Sequence, residues 1–223
     1  MSNEFILLGH ILWVSGLAFA CRKQPAETQI ILMVLYSVLG NVMVFKQMIL
    51  FPNVPKLTMI VNTADAYAVG VILVLNYIRE RYDDEVVYRA MKLSFLSLAV
   101  LAVAAYFQVN YGGIDDSMTR SYDLIMIEFP GLVMKSAVIY IVVQYLDNKL
   151  FSWMRKQCGQ QYLVGRMVLS LLFSQWLDTL LFSFIAYGHV AYSIWNVVLF
   201  SGTVKSVCAL LVTFNTAIGH YIW

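Results

Sequence analysis

Residues 163–187 read LVGRMVLSLLFSQWLDTLLFSFIAY. The run is long enough to cross a hydrocarbon core about 30 Å thick at about 1.5 Å per helical residue. It is also interrupted by polar groups. Arg166, Ser170, Ser174 and Asp178 recur every four residues, which stacks them on one stripe of a helix. Gln175 lies three residues before Asp178, on the adjoining stripe. Lipid does not tolerate such a stripe, so it must face protein or a wet cavity. A segment of this kind needs neighbours, and it predicts a bundle of membrane-crossing helices.

The rest of the chain agrees. Its 223 residues are 61% hydrophobic and 13% charged, where a soluble domain carries about 25% charged residues. Mean hydropathy is +0.72. Further apolar stretches fall near 4–20, 28–50, 57–78, 90–109, 124–148 and 194–219. The fold class expected is all-α: a polytopic membrane helical bundle of about seven transmembrane helices, with a six-helix core and a short peripheral N-terminal helix. Residues 1–223 form one transmembrane domain. Pro52, Pro55, Gly112 and Gly113 punctuate the connections as turns do.

Charge gives the sidedness. With the N-terminus outside, the inner connections hold Arg22, Lys23, Arg79, Arg81, Arg89, Lys92, Lys149, Arg155, Lys156 and Arg166, and the outer ones Lys56 and Arg120. This bias follows the positive-inside rule and puts the C-terminus in the cytoplasm. The expected location is a bacterial inner membrane. The first apolar run is preceded by Glu4 and followed by Arg22 and Lys23, an order opposite to that of a cleaved signal peptide. A net charge of +2 gives no footing for nucleic acid. Cys21, Cys158 and Cys208 form no CxxC pair and have no histidine cluster beside them, so neither a metal nor another cofactor is expected.

Six ionisable side chains fall inside the apolar stretches: Lys46, Asp65, Glu128, Lys135, Asp178 and Lys205. Each costs about 2.5–3.5 kcal/mol near a bilayer centre. Three bases and three acids are more than helix glue requires, so they read as a polar intramembrane site. By counting residues, Asp65 lies near the middle of the third span, and Lys46 and Asn41 in the middle and outer half of the second. Glu128 and Lys135 are seven apart and share a face of the fifth. Trp176, mid-span beside Gln175, is open to two readings: stacking on a planar ligand, or the commoner role of facing lipid or packing. Gln144 and Asp147 sit near the inner boundary, where a solvated helix end explains them equally well. Arg79–Arg81 and Asp83–Glu85 read as a solvated loop.

The nine residues Gln144–Ser152 echo Gln175–Ser183 in the pattern Q-aromatic-L-D-x-x-L-F-S. The two copies would run in opposite directions, as transporter repeats do, and duplication and coincidence both stay open.

Several pieces resemble one family in order along the chain. Asn41-Val42-Met43-Val44-Phe45-Lys46 is similar to an N-x-x-V-x-K element, and Glu80-Arg81-Tyr82 to an E-x-Y element. Gln144 to Phe151 matches Q-x-x-D-x-x-x-F. Arg166 to Thr179 matches R-x3-S-x3-S-Q-x-x-D-T, and Lys205 matches a lysine in the last span. These resemble the queuosine precursor transporter family, also called the vitamin uptake transporter family. The chain departs from the family pattern at Leu75-Asn76, Asp83, Lys135-Ser136 and Thr213-Phe214. The resemblance implies import of queuine or a related 7-deazaguanine base for salvage into tRNA modification. The partners it implies are that small molecule and the lipid bilayer, with a homodimer open. The alternative is a substrate-binding membrane subunit of an ATP-driven vitamin-type uptake system. An enzyme is not expected, since the chain has no HExxH, no GxSxG and no nucleophile–histidine arrangement inside its spans.

A guanine-like edge presents N–H donors beside one carbonyl oxygen. The residues expected to bind it are Asp178 and Gln175 with Lys205 or Lys135 opposite, a second acid at Asp65 or Glu128, and Asn41, Lys46, Ser174 and Trp176 around them.

Overall fold

The computed structural model describes residues 2–51, 59–111, 117–158 and 162–186, then 195, 198–199, 201–203, 205–207 and 210. Six helices carry most of the fold: α1 (Asn3–Cys21), α2 (Ala26–Met43), α3 (Asp65–Arg81), α4 (Asp84–Asn110), α5 (Ser117–Cys158) and α6 (Leu163–Ala186). The described residues 195, 198–199, 201–203, 205–207 and 210 are also helical and are called α7 here. Five of the described helices are long and apolar enough to cross a membrane. The chain is an all-α membrane bundle. Pro52, Pro55, Lys56, Gly112, Gly113, Cys208 and Thr213-Phe214 lie outside the described residues.

The second and third spans differ from the expectation. Residues 44–51 and 59–62 do not continue α2 or begin α3; they include an antiparallel pair of strands, β1 (Gln47–Leu50) and β2 (Met59–Asn62), called the hairpin below. Gln47 pairs with Asn62 and Leu50 with Met59. The physical reason is local. The last carbonyls of α2 need donors once the helix stops, and the hairpin supplies them. The Thr63 hydroxyl donates to Met43 O (2.9 Å) and the Asn62 amide to Val44 O (2.7 Å). The Asn62 side-chain oxygen Oδ1 then accepts from Ala64 N (2.9 Å), turning the chain into α3. Phe51 closes β1 in a left-handed backbone conformation (φ 52°). Its amide donates to the Glu4 carboxylate (2.6 Å), while Asn3 donates to Ile49 O (2.8 Å), so the hairpin is laced to the start of α1.

Asp65 therefore opens α3 rather than lying deep within a longer helix, and Lys46 sits exposed in the turn after α2.

α3 is the central helix, with fourteen of its residues buried, from Asp65 to Arg79. Gly70 permits this. A Cβ there would stand 2.5 Å from Val14 Cγ1 on α1 and 2.9 Å from Tyr36 Cδ2 on α2. Small residues at such crossings let membrane helices approach closely. Tyr36 fixes the contact by donating to Val14 O (2.7 Å). α4 packs on α5 through Leu98, Ala102 and Ala105 against Phe129, Val133 and Ala137. The outer surface is apolar, with Phe5, Ile31, Val100 and Leu124 exposed, whereas charged and amide groups lie inside. That inversion of the soluble pattern is what lipid as solvent demands.

At the end away from the hairpin, the turn between α1 and α2 is tied down by side chains. Gln29 donates to Arg22 O and Gln24 O, Arg81 to the same two carbonyls, and the Tyr82 hydroxyl to Gln24 O. Arg81 and Tyr82 thus act in helix docking. Arg79 is helical and buried, not part of a solvated loop.

Candidate functional site

Two buried polar clusters lie at opposite ends of α3, joined by the polar stripe of α6. Asp65 and Arg79 are separated by about 21 Å of helix at about 1.5 Å per residue.

At the hairpin end, Lys205 of α7 reaches two carboxylates. Its ammonium lies 3.0 Å from Asp178 Oδ2 on α6 and 3.4 Å from Asp65 Oδ1 on α3. The Ser201 hydroxyl, one turn before Lys205, donates to Asp65 Oδ2 at 2.8 Å. One cation thus serves two acids. Asp65 is 9% exposed and Asp178 29%, so Asp178 is the more open of the pair. Gln175 fastens α6 to the start of α3 by donating to Ala68 O (3.2 Å); its side-chain carbonyl oxygen is buried without a partner among the described residues. Ser174 is likewise buried with an unpartnered hydroxyl. Trp176 packs over Gly202 of α7, where a Cβ would meet the indole at 2.8 Å. One face of that ring is therefore already covered.

The other candidates lie apart. Asn41 donates to Ser37 O (2.9 Å) within α2. Lys46, Glu128 and Lys135 are exposed and make no side-chain ion pair or hydrogen bond among the described residues.

The second cluster was not anticipated. Arg79 of α3 pairs with Asp147 of α5, both almost wholly buried. Asp147 also accepts from Ser170 of α6 (2.6 Å), and Arg79 donates to Asn76 Oδ1 (3.1 Å). Arg166, one turn before Ser170, donates to Glu80 at 3.1 Å. The Arg79 and Arg166 guanidinium groups stand 5.6 and 5.8 Å from the Phe151 ring. Gln144 is buried one turn before Asp147. Asp147 and Gln144 are therefore core residues, not a solvated helix end. Their resemblance to Asp178 and Gln175 was the available signal: each Q-x-x-D places its acid against a cation on another helix.

Comparison with known proteins bears on what such a bundle does. No curated protein and no solved structure matches the chain. A family model does match, over residues 66–219, a span that holds both ends of the α6 stripe, Asn76, Arg79, Gln144, Asp147 and Lys205. The chain belongs to the transporter family that this model describes as "Putative vitamin uptake transporter".

Proposed function

We propose that this protein imports a queuosine precursor, queuine or a related 7-deazaguanine base, for salvage into modified tRNA. The observation that carries the reading is the Asp65–Lys205–Asp178 triad, buried between three helices of a transporter-family bundle. One ammonium between two carboxylates leaves a carboxylate in excess. A buried excess acid favours a ligand that brings N–H donors or a cation. A guanine-like edge brings the donors, and an aminomethyl substituent brings the cation. Asp178, the more exposed acid, is the one free to turn from Lys205 to the ligand. Gln175 beside it holds an unused carbonyl oxygen for a further N–H. Recognition of this type rejects analogues strongly, because a missing group leaves buried polar atoms unpaired.

The test is uptake in bacteria unable to make queuosine. Cells supplied with queuine or its 7-cyano or 7-aminomethyl precursor should form modified tRNA only when this protein is present. Asp178→Asn should reduce that signal by at least about tenfold, the loss of one charge-assisted hydrogen bond, at unchanged membrane abundance. Normal salvage by Asp178→Asn removes the triad from the substrate site, and absence of salvage with every base removes the substrate class.

A further inference from the structure

We propose that the Arg79 end of the bundle is a second binding station, one that reads the cis-amide edge (a carbonyl oxygen beside a ring N–H) of a neutral planar heterocycle. It rests on the transport reading above and gives the substrate a second resting place on its route.

The argument starts from donors and acceptors. Arg79 uses Nη1 on Asp147 and on Asn76 Oδ1. Its Nε and Nη2 are buried without partners among the described residues, and so is Asn76 Nδ2. On α5, one turn before Asp147, Gln144 Oε1 is a buried acceptor without a donor among the described residues. Tyr140, one turn before Gln144, also buries a hydroxyl without a partner among the described residues, as does Ser94 of α4. Burying such groups unpaired is costly. Several on the helices joined by the Arg79–Asp147 pair call for a guest that completes them.

Charge then narrows the guest. Arg79 is matched by Asp147, and Arg166 by Glu80. A charged guest would upset this balance in a medium of low dielectric constant, so the guest is neutral. The guanidinium and the Asn76 amide offer hydrogens to a carbonyl oxygen. Gln144 accepts a hydrogen from an adjoining N–H. A carbonyl and an N–H side by side in one plane make a cis-amide. The 6-oxo edge of a 7-deazaguanine has this arrangement.

The sequence echo supports a paired design. Gln144 and Asp147 on α5 correspond to Gln175 and Asp178 on α6, a helix that returns alongside it. Both glutamines are buried with a free carbonyl oxygen, and both acids are held by a cation of another helix. The copies stand at opposite ends of α3, with buried Ser174 between them on α6. Two related stations, one toward each membrane face, suit alternating access.

The test is binding to the full-length protein in detergent. The probes are 7-deazaguanine and 2-amino-7-deazapurine, which lacks both the carbonyl and the adjoining N–H. Gln144→Leu should weaken 7-deazaguanine by about tenfold, the scale of one buried amide left unpaired, and leave the second probe within about twofold. Asn76→Leu should do the same through the carbonyl. Unchanged affinity for both probes in both variants overturns the station and leaves water as the occupant. Equal loss of both probes in both variants also overturns it, because the cluster then only supports the fold. A wild-type protein that binds neither probe brings down the transport reading itself, an outcome separate from these.

Discussion

Arg79 and Asp147 make the sharpest case at the scale of single residues. Each is a charge taken almost wholly out of solvent, and each is tolerable only through the other. Removing one partner should therefore cost more than removing both. Arg79→Leu or Asp147→Leu alone should destabilise the detergent-solubilised protein by about 3–5 kcal/mol. The double substitution should recover a large part of that loss. A thermal-unfolding double-mutant cycle measures the coupling, and additive losses would show that the two charges act independently. This pair was hard to read from sequence for a simple reason. Hydropathy places Arg79 and Asp147 near span ends, where a charge costs little, and only the cross-helix contact separates a buried pair from two solvated ends. Asp178 and Lys205 were legible because they stand mid-span, where no solvated alternative exists. Glu128 and Lys135 share a face, as their spacing predicts, yet that face is exposed. Spacing fixes which residues share a direction but not what lies in that direction.

Among elements, α1 and α6 follow their apolar runs closely. The runs at 4–20 and 163–187 became Asn3–Cys21 and Leu163–Ala186. The hairpin was invisible because VFKQMILF and MIVN are as hydrophobic as any span. Hydropathy does not distinguish a buried strand from a piece of buried helix. What decides is the polar chemistry at the junction, where Asn62 and Thr63 take the carbonyls that α2 leaves open. Asn62→Ala should cost about 1 kcal/mol per lost hydrogen bond, read as a lower melting temperature with unchanged helix content. The other element-scale constraint is the crossing at Gly70. Gly70→Leu forces a side chain into space that Val14 and Tyr36 already occupy. It should destabilise by about 1–3 kcal/mol by overpacking. Val14→Ala should restore part of the loss by opening that space, and a Gly70→Leu protein as stable as wild type would mean that α1 swings aside freely.

Across the whole molecule, the basic residues gather at the end opposite the hairpin. Arg22 ends α1, Arg81 ends α3, Arg89 lies in the second turn of α4, and Arg155 and Lys156 finish α5. Of the ten residues counted as inner, Arg79 and Arg166 are buried in ion pairs, so they do not act as solvated topology signals. The other eight remain exposed or partly exposed, and against Lys56 and Arg120 they still give a strong bias under the positive-inside rule. This end is also where the Arg79 cluster lies, and the hairpin end holds the Lys205 triad. On that bias we propose that the Arg79 cluster faces the cytoplasm and the Lys205 triad the outside. In a background with Cys21, Cys158 and Cys208 changed to Ser, Gln47→Cys on the hairpin should react with a membrane-impermeant maleimide added outside intact spheroplasts. Asp84→Cys, exposed at the start of α4, should react only after the membrane is opened. The reverse pattern would turn the bundle over, placing the Arg79 cluster, rather than the Lys205 triad, toward the outside.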